Sequence, residues 1–410
     1  MSVARTRAPS FSRSDLEPSF SSIETLENRC ELKVNTVVSE IMKEAVKYLS
    51  DMPPVSNLVE RCVRPFIEGT LGRGEQQKEY AFDDQVGDQG HPFSITSRIE
   101  WGALVLYVRI PMKCGATKVI FKKIGLRGPR MGPVAYEKRL QVEDGKTIEL
   151  NGEELVLEVE KRKKLRGKYV ASGEVVFFRK KEKNGELKGI ESPWADHGDL
   201  NAYLRDNELS LEERIDFTRD ILKGLCWIHD EKNTVLLDVK PGNMLVFFEK
   251  RRKRIRFCDV ARSVDKDSFV DDLVTTRAYT PKEALFMGYT ASDKIDVWSV
   301  GLVIAMIWFG RGVNQFILKG RIGFSDDDFL DPGKRESIED KWDMLRDQIL
   351  FSIGQINGDR SVSDLEGRPS KAVWMDIEEF VGRLLKKQEK RPSAQEALKK
   401  FRKISKKIEA

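Results

Sequence analysis

The chain has 410 residues, room for two or three domains, and its 71 Lys and Arg against 66 Asp and Glu leave a formal net charge of +5. Mixed charges of that kind with 40% hydrophobic residues describe a globular protein with a large core, and they weigh against nucleic acid as a partner. The 5 cysteines form no CxxC pair and only 3 histidines are present, which weighs against a disulfide framework, a zinc site or a histidine triad.

Residues 1–30 are rich in Ser, Arg and Pro and read as a disordered tail. No basic stretch followed by an apolar run and a cleavage site opens the chain, so no secretory signal is expected. Over 31–50, Val34, Val37, Val38, Ile41, Met42, Ala45 and Leu49 recur at helical spacing. Val55, Leu58, Val59, Cys62, Phe66 and Ile67 do the same over 54–68, with Pro53 and Pro54 between the two segments. Residues 31–90 therefore read as a helical appendage that ends in a linker from residue 69.

Strand-like runs follow. Residues 93–110 and 117–124 are rich in β-branched side chains. The stretch 146–161 carries Asn151-Gly152, a hairpin signal, and 173–194 repeats it at Asn184-Gly185. After residue 197 the pattern turns helical: "DLNAYLRD", "SLEERIDFTRDILKGLCWIHD", 296–310, "KWDMLRDQILFSI", "AVWMDIEEFVGRLLKK" and "SAQEALKKFRKISKKI". The expected architecture is α+β, with a β-rich lobe over 91–195 and an α-rich lobe over 196–405. The longest apolar run, 297–310, is too short to cross a membrane and reads as a buried helix, so no membrane span is expected. His229 ends a helical pattern and reads as a packing or capping residue. The 311–370 region is longer than the rest of the pattern requires, a docking insert or only a loop.

Four polar knots interrupt the helical half. "LLDVKPGN" places Asp238, Lys240 and Asn243 between two apolar runs. "RFCDVARS" puts Asp259 directly after a short strand, and "TTRAYTPKEAL" holds Thr276 and Glu283. "DVWSVG" opens a buried helix with Asp296 and is matched later by Arg391 of "RPSAQEAL". Each alone has a bland reading, a turn-forming or helix-capping Asp. The basic run in "FFEKRRKRIRF" between the first two knots reads as the tip of a solvated hairpin and not as a nucleic-acid patch.

In this order the knots resemble the protein kinase family, over about residues 93–403 and most closely from 197 to 310. The resemblance implies a bilobal protein-kinase-like fold and transfer of the γ-phosphoryl group of ATP, with Mg²⁺ or Mn²⁺, to Ser or Thr of a protein substrate. By the same resemblance Asp238 is the catalytic carboxylate that accepts the hydroxyl proton, Lys240 steadies the migrating phosphoryl group, and Asn243 and Asp259 hold metal. Thr276 sits where the family places a Thr against the catalytic Asp. Glu283 and Arg391 resemble its buried ion pair, and Asp296 the residue that ties the catalytic loop to the central helix. "VIFKK" resembles the strand with the ATP-phosphate lysine, which makes that residue Lys122, with Lys123 as its rival. Of the glycine-rich loop only Gly102 is kept; "GRGEQQ" at 72–77 reads as linker. The helix glutamate expected to pair with Lys122 is Glu137, with Glu158 second.

The departures also carry expectations. Leu236 and Leu237 stand where the family has His and Arg, and that Arg normally grips an activation-loop phosphate. The enzyme is thus expected to be constitutive or controlled by an activating protein partner. The DFG motif becomes Asp259-Val260-Ala261. Asp238, Asn243, Asp259 and Lys122 are all kept, which favours an active kinase over a catalytically dead scaffold or a kinase-fold transferase of AMP or amino acids. The Ser-rich start also resembles secreted bacterial effector kinases. The expected location is cytoplasmic, in the host cytosol for an effector.

Overall fold

The computed structural model describes residues 43, 76–80, 93–100, 103–114, 118–127, 132–143, 146–149, 153–171, 174–177, 187–271, 276–310, 327–329, 331–359 and 370–409. The expected tail, the helices over 31–50 and 54–68 (Lys43 aside) and Gly102 lie outside them. The chain divides into two compact units with the break near residue 134.

The first unit is an antiparallel meander of β1 (Gln76–Tyr80), β2 (Phe93–Glu100), β3 (Ala103–Cys114) and β4 (Lys118–Arg127). β1 corrects the linker reading of 69–90, because Gln76 pairs with Ser97 and Tyr80 with Phe93. Its polar residues have little strand propensity of their own, and the partner strand supplies the conformation. β3 carries irregularities in its pairing with β4 near Tyr107 and Pro111. A proline, lacking an N–H, is tolerated at such a bulge.

The second unit begins with β5 (Gly132–Glu143) and β6 (Lys146–Glu149), which pair through Leu140↔Glu149 and Glu143↔Lys146. The hairpin expected at Asn151-Gly152 gives way to helix α1 (Glu153–Lys164). The alternation in "LVLEVE" mimics a strand, but Glu153 and Glu154 in the first turn and Lys161–Lys164 in the last suit the helix dipole. β7 (Glu174–Phe177) and β8 (Leu187–Pro193) form the second expected hairpin. The break near 134 precedes the lobe boundary expected at 195–196. Residues 165–171 run beside the later strands, with Ala171 N–H on the Phe257 carbonyl at 2.7 Å and Ala171, Ala195 and Phe247 in one apolar cluster.

The expected helices follow as α2 (Leu200–Asp206), α3 (Leu211–Cys226), α4 (Asp293–Phe309), α5 (Arg335–Asp359), α6 (Lys371–Leu384) and α7 (Ala394–Glu409). Ser210 and Glu213 close a capping box on α3. α4 is buried along almost its whole length and packs against α3, α6 and α7. Gly301 is needed there, since a Cβ would stand 2.9 Å from that of Leu384 on α6. α5 occupies much of the 311–370 region, and Phe286, Phe329 and Trp342 cluster between it and the preceding loop. Among the described residues no helix is long and apolar enough to cross a membrane.

β9 (Thr234–Val235) precedes the hairpin of β10 (Met244–Glu249) and β11 (Arg252–Phe257), closed by Lys250 and Arg251 at φ 49° and 67°. Its cations meet the acidic face of α3: Lys253–Glu213 and Arg254–Asp220 at 2.6 Å, Arg252–Glu212 at 3.6 Å. Burial pushes the Asp220 carboxyl up to about 6, opposed by Arg254. Its folded pKa exceeds the unfolded value of 3.8, so the resulting penalty is absent below about pH 4 and complete above about pH 6. An Asp220→Asn variant should therefore gain stability relative to the parent as pH rises from 4.5 to 7, by about 2 kcal/mol. Melting curves at both pH values check this; a constant difference would refute it.

Candidate functional site

The segment after β9 is held in an unfavourable backbone. Leu237 lies at φ 65°, where a branched side chain is strained. What sustains it is Asp296, fully buried in the first turn of α4. Its Oδ2 accepts the Leu236 N–H at 2.7 Å and its Oδ1 the Leu237 N–H at 2.9 Å. His229 Nε2 also contacts Oδ2 at 2.9 Å. The helix cap is Ser292, so the capping reading of Asp296 does not hold. The Leu237 side chain packs with Val235, Val270, Ala284, Ala291 and Ile295, so an apolar plug stands at the position where a cation was missed. The sequence carried no sign of the His229–Asp296 contact, which joins residues far apart in the chain.

Next in the chain, Asp238 stands at the centre of a small network. Lys240 Nζ donates to both its oxygens, at 3.0 and 2.8 Å, and to Thr276 Oγ1 at 2.7 Å. Asn243 Nδ2 donates to the Asp238 carbonyl at 2.9 Å and to its Oδ2 at 2.8 Å. The structure thus brings together four of the residues singled out in the sequence.

Asn243 and Asp259 flank the base of the β10–β11 hairpin. Met244 pairs with Phe257, and the Cys258 N–H donates to the Asn243 carbonyl at 2.9 Å. Because Asn243 spends its amide nitrogen on Asp238, its Oδ1 is the atom left for a cation. An amide oxygen with a carboxylate is a donor set suited to Mg²⁺, which keeps waters and takes further oxygens from phosphates. Among the described residues no cluster of three His, Cys, Asp or Glu could hold a metal unaided. The Asn243 amide oxygen and the Asp259 carboxylate are donors of the type that fits Mg²⁺. Asp259 lies at φ 54°, and Val260 behind it is buried.

Lys122 sits on β4 opposite Ile110, half-buried, and Lys123 opposite Arg109 is buried. Glu137 is corrected as a helix residue: it lies within strand β5. Glu158, the second choice, lies on helix α1, buried and paired with Arg162 at 2.7 Å. The hairpin signal at 151–152 is what places Glu158 second in the sequence.

Arg391 is anchored at several points. It contacts Glu283 Oε1 at 2.6 Å, donates to the Lys294 carbonyl at 2.6 Å and the Lys386 carbonyl at 2.9 Å, and lies over the Trp298 ring at 5.1 Å. Glu283→Ala would leave a guanidinium that is 1% exposed without its carboxylate. The expected cost is about 3–5 kcal/mol in chemical unfolding. An unchanged midpoint would remove the pair from the stability of this unit.

Residues 138–401, more than half of the chain, match the family described as protein kinase domain. Among curated relatives, mitogen-activated protein kinase mpkC of Emericella nidulans is 28% identical over 141 residues, 32% of this chain and 33% of that protein. Mitogen-activated protein kinase 1 of Oryza sativa subsp. japonica is 34% identical over 108 residues, 26% of each chain. Mitogen-activated protein kinase 3 of Arabidopsis thaliana is 33% identical over 108 residues, 26% of this chain and 28% of that protein. The matches thus span a quarter to a third of the length of these relatives.

Proposed function

The chain belongs to the protein kinase family, and from that membership we propose that it transfers the γ-phosphoryl group of ATP to Ser or Thr hydroxyls of a protein substrate. The observation that carries the proposal is the Asp238 carboxylate, held by Lys240 and Asn243 while Lys240 also reaches Thr276. Phosphoryl transfer asks mainly for positioning and charge neutralisation, and these residues supply both. Asp238 orients the acceptor hydroxyl and takes its proton. Lys240 lies against that carboxylate, where it offsets negative charge on the migrating group. Asn243 and Asp259 would hold Mg²⁺, which neutralises the phosphates when bound. Lys122 is the residue proposed to hold the phosphates, and Glu158 takes the place of Glu137 as the candidate helix glutamate.

Control by an activating protein and a role as an effector in a host cytosol belong to the same proposal. They rest on the Leu237 replacement and on the composition of residues 1–90.

The test is incubation with Mg²⁺, ATP and a generic basic protein, beside Asp238→Asn, with products read by intact mass. A phosphate-sized gain in the parent alone supports the reading. An AMP-sized gain keeps the fold and replaces the reaction. No gain, with or without host-cell extract, leaves a scaffold.

A further inference from the structure

On the reading that Asp259 holds the metal that comes with the nucleotide, we propose that Lys161 of α1 is a positioning residue: it tethers the turn that carries Asp259 to the helix that carries Glu158. No motif marks it in the sequence.

The turn has an unusual need for support. Asp259 sits in the left-handed region at φ 54°, which an aspartate adopts more readily than most side chains but which its surroundings help to hold. The residues after it form a tight bend. Val260 is buried, and its carbonyl accepts from both the Ser263 N–H at 3.0 Å and the Ser263 hydroxyl at 2.8 Å. The next carbonyl belongs to Ala261, and its donor is Lys161 Nζ at 2.5 Å. Two consecutive carbonyls of the bend are thus satisfied from two directions, one by its own serine and one by helix α1.

The helix is built for this contact. Glu158, Lys161 and Lys164 stand at i, i+3 and i+6, within an arc of about 120° on one face. Glu158 is buried and tied to Arg162 in the following turn, which fixes the helix rotation at that level. Lys161 reaches Ala261, and Lys164 pairs with the Asp265 carboxylate. Asp265 in turn lies on a short strand, Val264–Asp265, paired with β9 just before the catalytic loop. Successive turns of one helix therefore grip successive stretches of the same segment, beginning two residues after Asp259. The Lys164 contact is largely exposed and weak. The Lys161 contact is half-buried and charge-assisted, the stronger type. Burial pulls the Lys161 ammonium below its usual range while Glu158 opposes the shift, as befits a cation withdrawn from water to hold a carbonyl.

Without this ammonium the Ala261 carbonyl loses its donor and the bend relaxes, moving the Asp259 carboxylate. Groups that orient a metal ligand are commonly worth about 10-fold or more in metal affinity. A tether of this kind should therefore show in metal dependence and not only in stability.

The experiment compares Lys161→Met, Lys161→Arg and Lys163→Met, the last on an exposed neighbour outside the contact. Two quantities are read: hydrogen exchange of the amides from 258 to 264, and the Mg²⁺ concentration that half-saturates binding of a fluorescent ATP analogue. Lys161→Met should speed the exchange and raise the Mg²⁺ midpoint about 10-fold. Lys161→Arg, which keeps a charged donor, should restore most of both. The proposal is overturned if Lys161→Met changes neither, or if it lowers the melting temperature and leaves the Mg²⁺ midpoint where it was. It is overturned equally if Lys163→Met has the same effects. If the parent itself binds no Mg²⁺ and ATP, the transfer reading fails and the exchange arm decides alone: faster exchange in Lys161→Met upholds the tether, and unchanged exchange removes it.

Discussion

Asp238→Asn should lower turnover by about a hundredfold or more, with a melting temperature close to that of the parent. The substitution keeps the shape and removes the charge, so its effect follows from the contacts. Oδ2 accepts from Lys240 and from Asn243, while Oδ1 accepts from Lys240 at 3.0 Å. An asparagine can keep an oxygen at only one of these places. The Oδ2 place carries two donors, so the amide nitrogen would go to the Oδ1 place and face the Lys240 ammonium. That side chain can neither take a proton from a hydroxyl nor hold Lys240 as before. Asp238 is only partly buried, so water can solvate the displaced groups, and the stability loss should stay near 1 kcal/mol. Asp259→Ala should be as damaging to turnover through loss of the proposed metal ligand. Steady-state kinetics beside a melting curve would decide. Near-full activity in both variants would show that this network is not the site of transfer.

The helical half was legible because its signals are local and redundant. The helices carry local signals of their own, a continuous apolar run in α4 and an apolar period in helices such as α3 and α6, and α3 adds a capping box at Ser210 and Glu213. Asp238, Lys240 and Asn243 lie within six residues of one another, so their pattern survives in one dimension. The partners Glu283 and Arg391 are distant in sequence, yet each sits in a short string whose place in the order of the knots marks it. Legibility fails where one local signal imitates another. In "LVLEVE" the apolar alternation and the preceding Asn-Gly both favour a hairpin, and the charge order that suits a helix dipole is weaker. That single misreading hid α1, moved the expected glutamate to Glu137 and left Lys161 unremarked. β1 was missed for the opposite reason, since Gln76–Tyr80 becomes a strand only by pairing with β2. Leu237 was seen as a loss of charge, whereas its left-handed backbone and its apolar neighbours appear only in three dimensions.

Asp296→Ala should cost about 3–6 kcal/mol, enough to threaten the fold, because it orphans buried donors and not merely a charge. The carboxylate is fully buried and serves the Leu236 N–H, the Leu237 N–H and His229 Nε2 at once. Chemical unfolding should show the loss, and a variant as stable as the parent would mean the loop finds other acceptors. The finer test is Asp296→Asn, which retains one acceptor oxygen. Oδ2 serves both His229 and the Leu236 N–H, so the oxygen should stay there and the amide nitrogen should face the Leu237 N–H. Donor then meets donor at the residue held at φ 65°. Relaxation of that backbone moves Asp238, the next residue, with the rest of the fold intact. A displacement of about 1 Å at a reacting group can cost about a hundredfold, so kcat should fall by one to two orders of magnitude, about 10- to 100-fold, while KM for ATP changes little. If Asp296→Asn kept its kcat, the aspartate would support the fold of this unit without setting the geometry of the loop. If kcat falls in a variant that still unfolds cooperatively, the strain at Leu237 is part of how Asp238 is aimed.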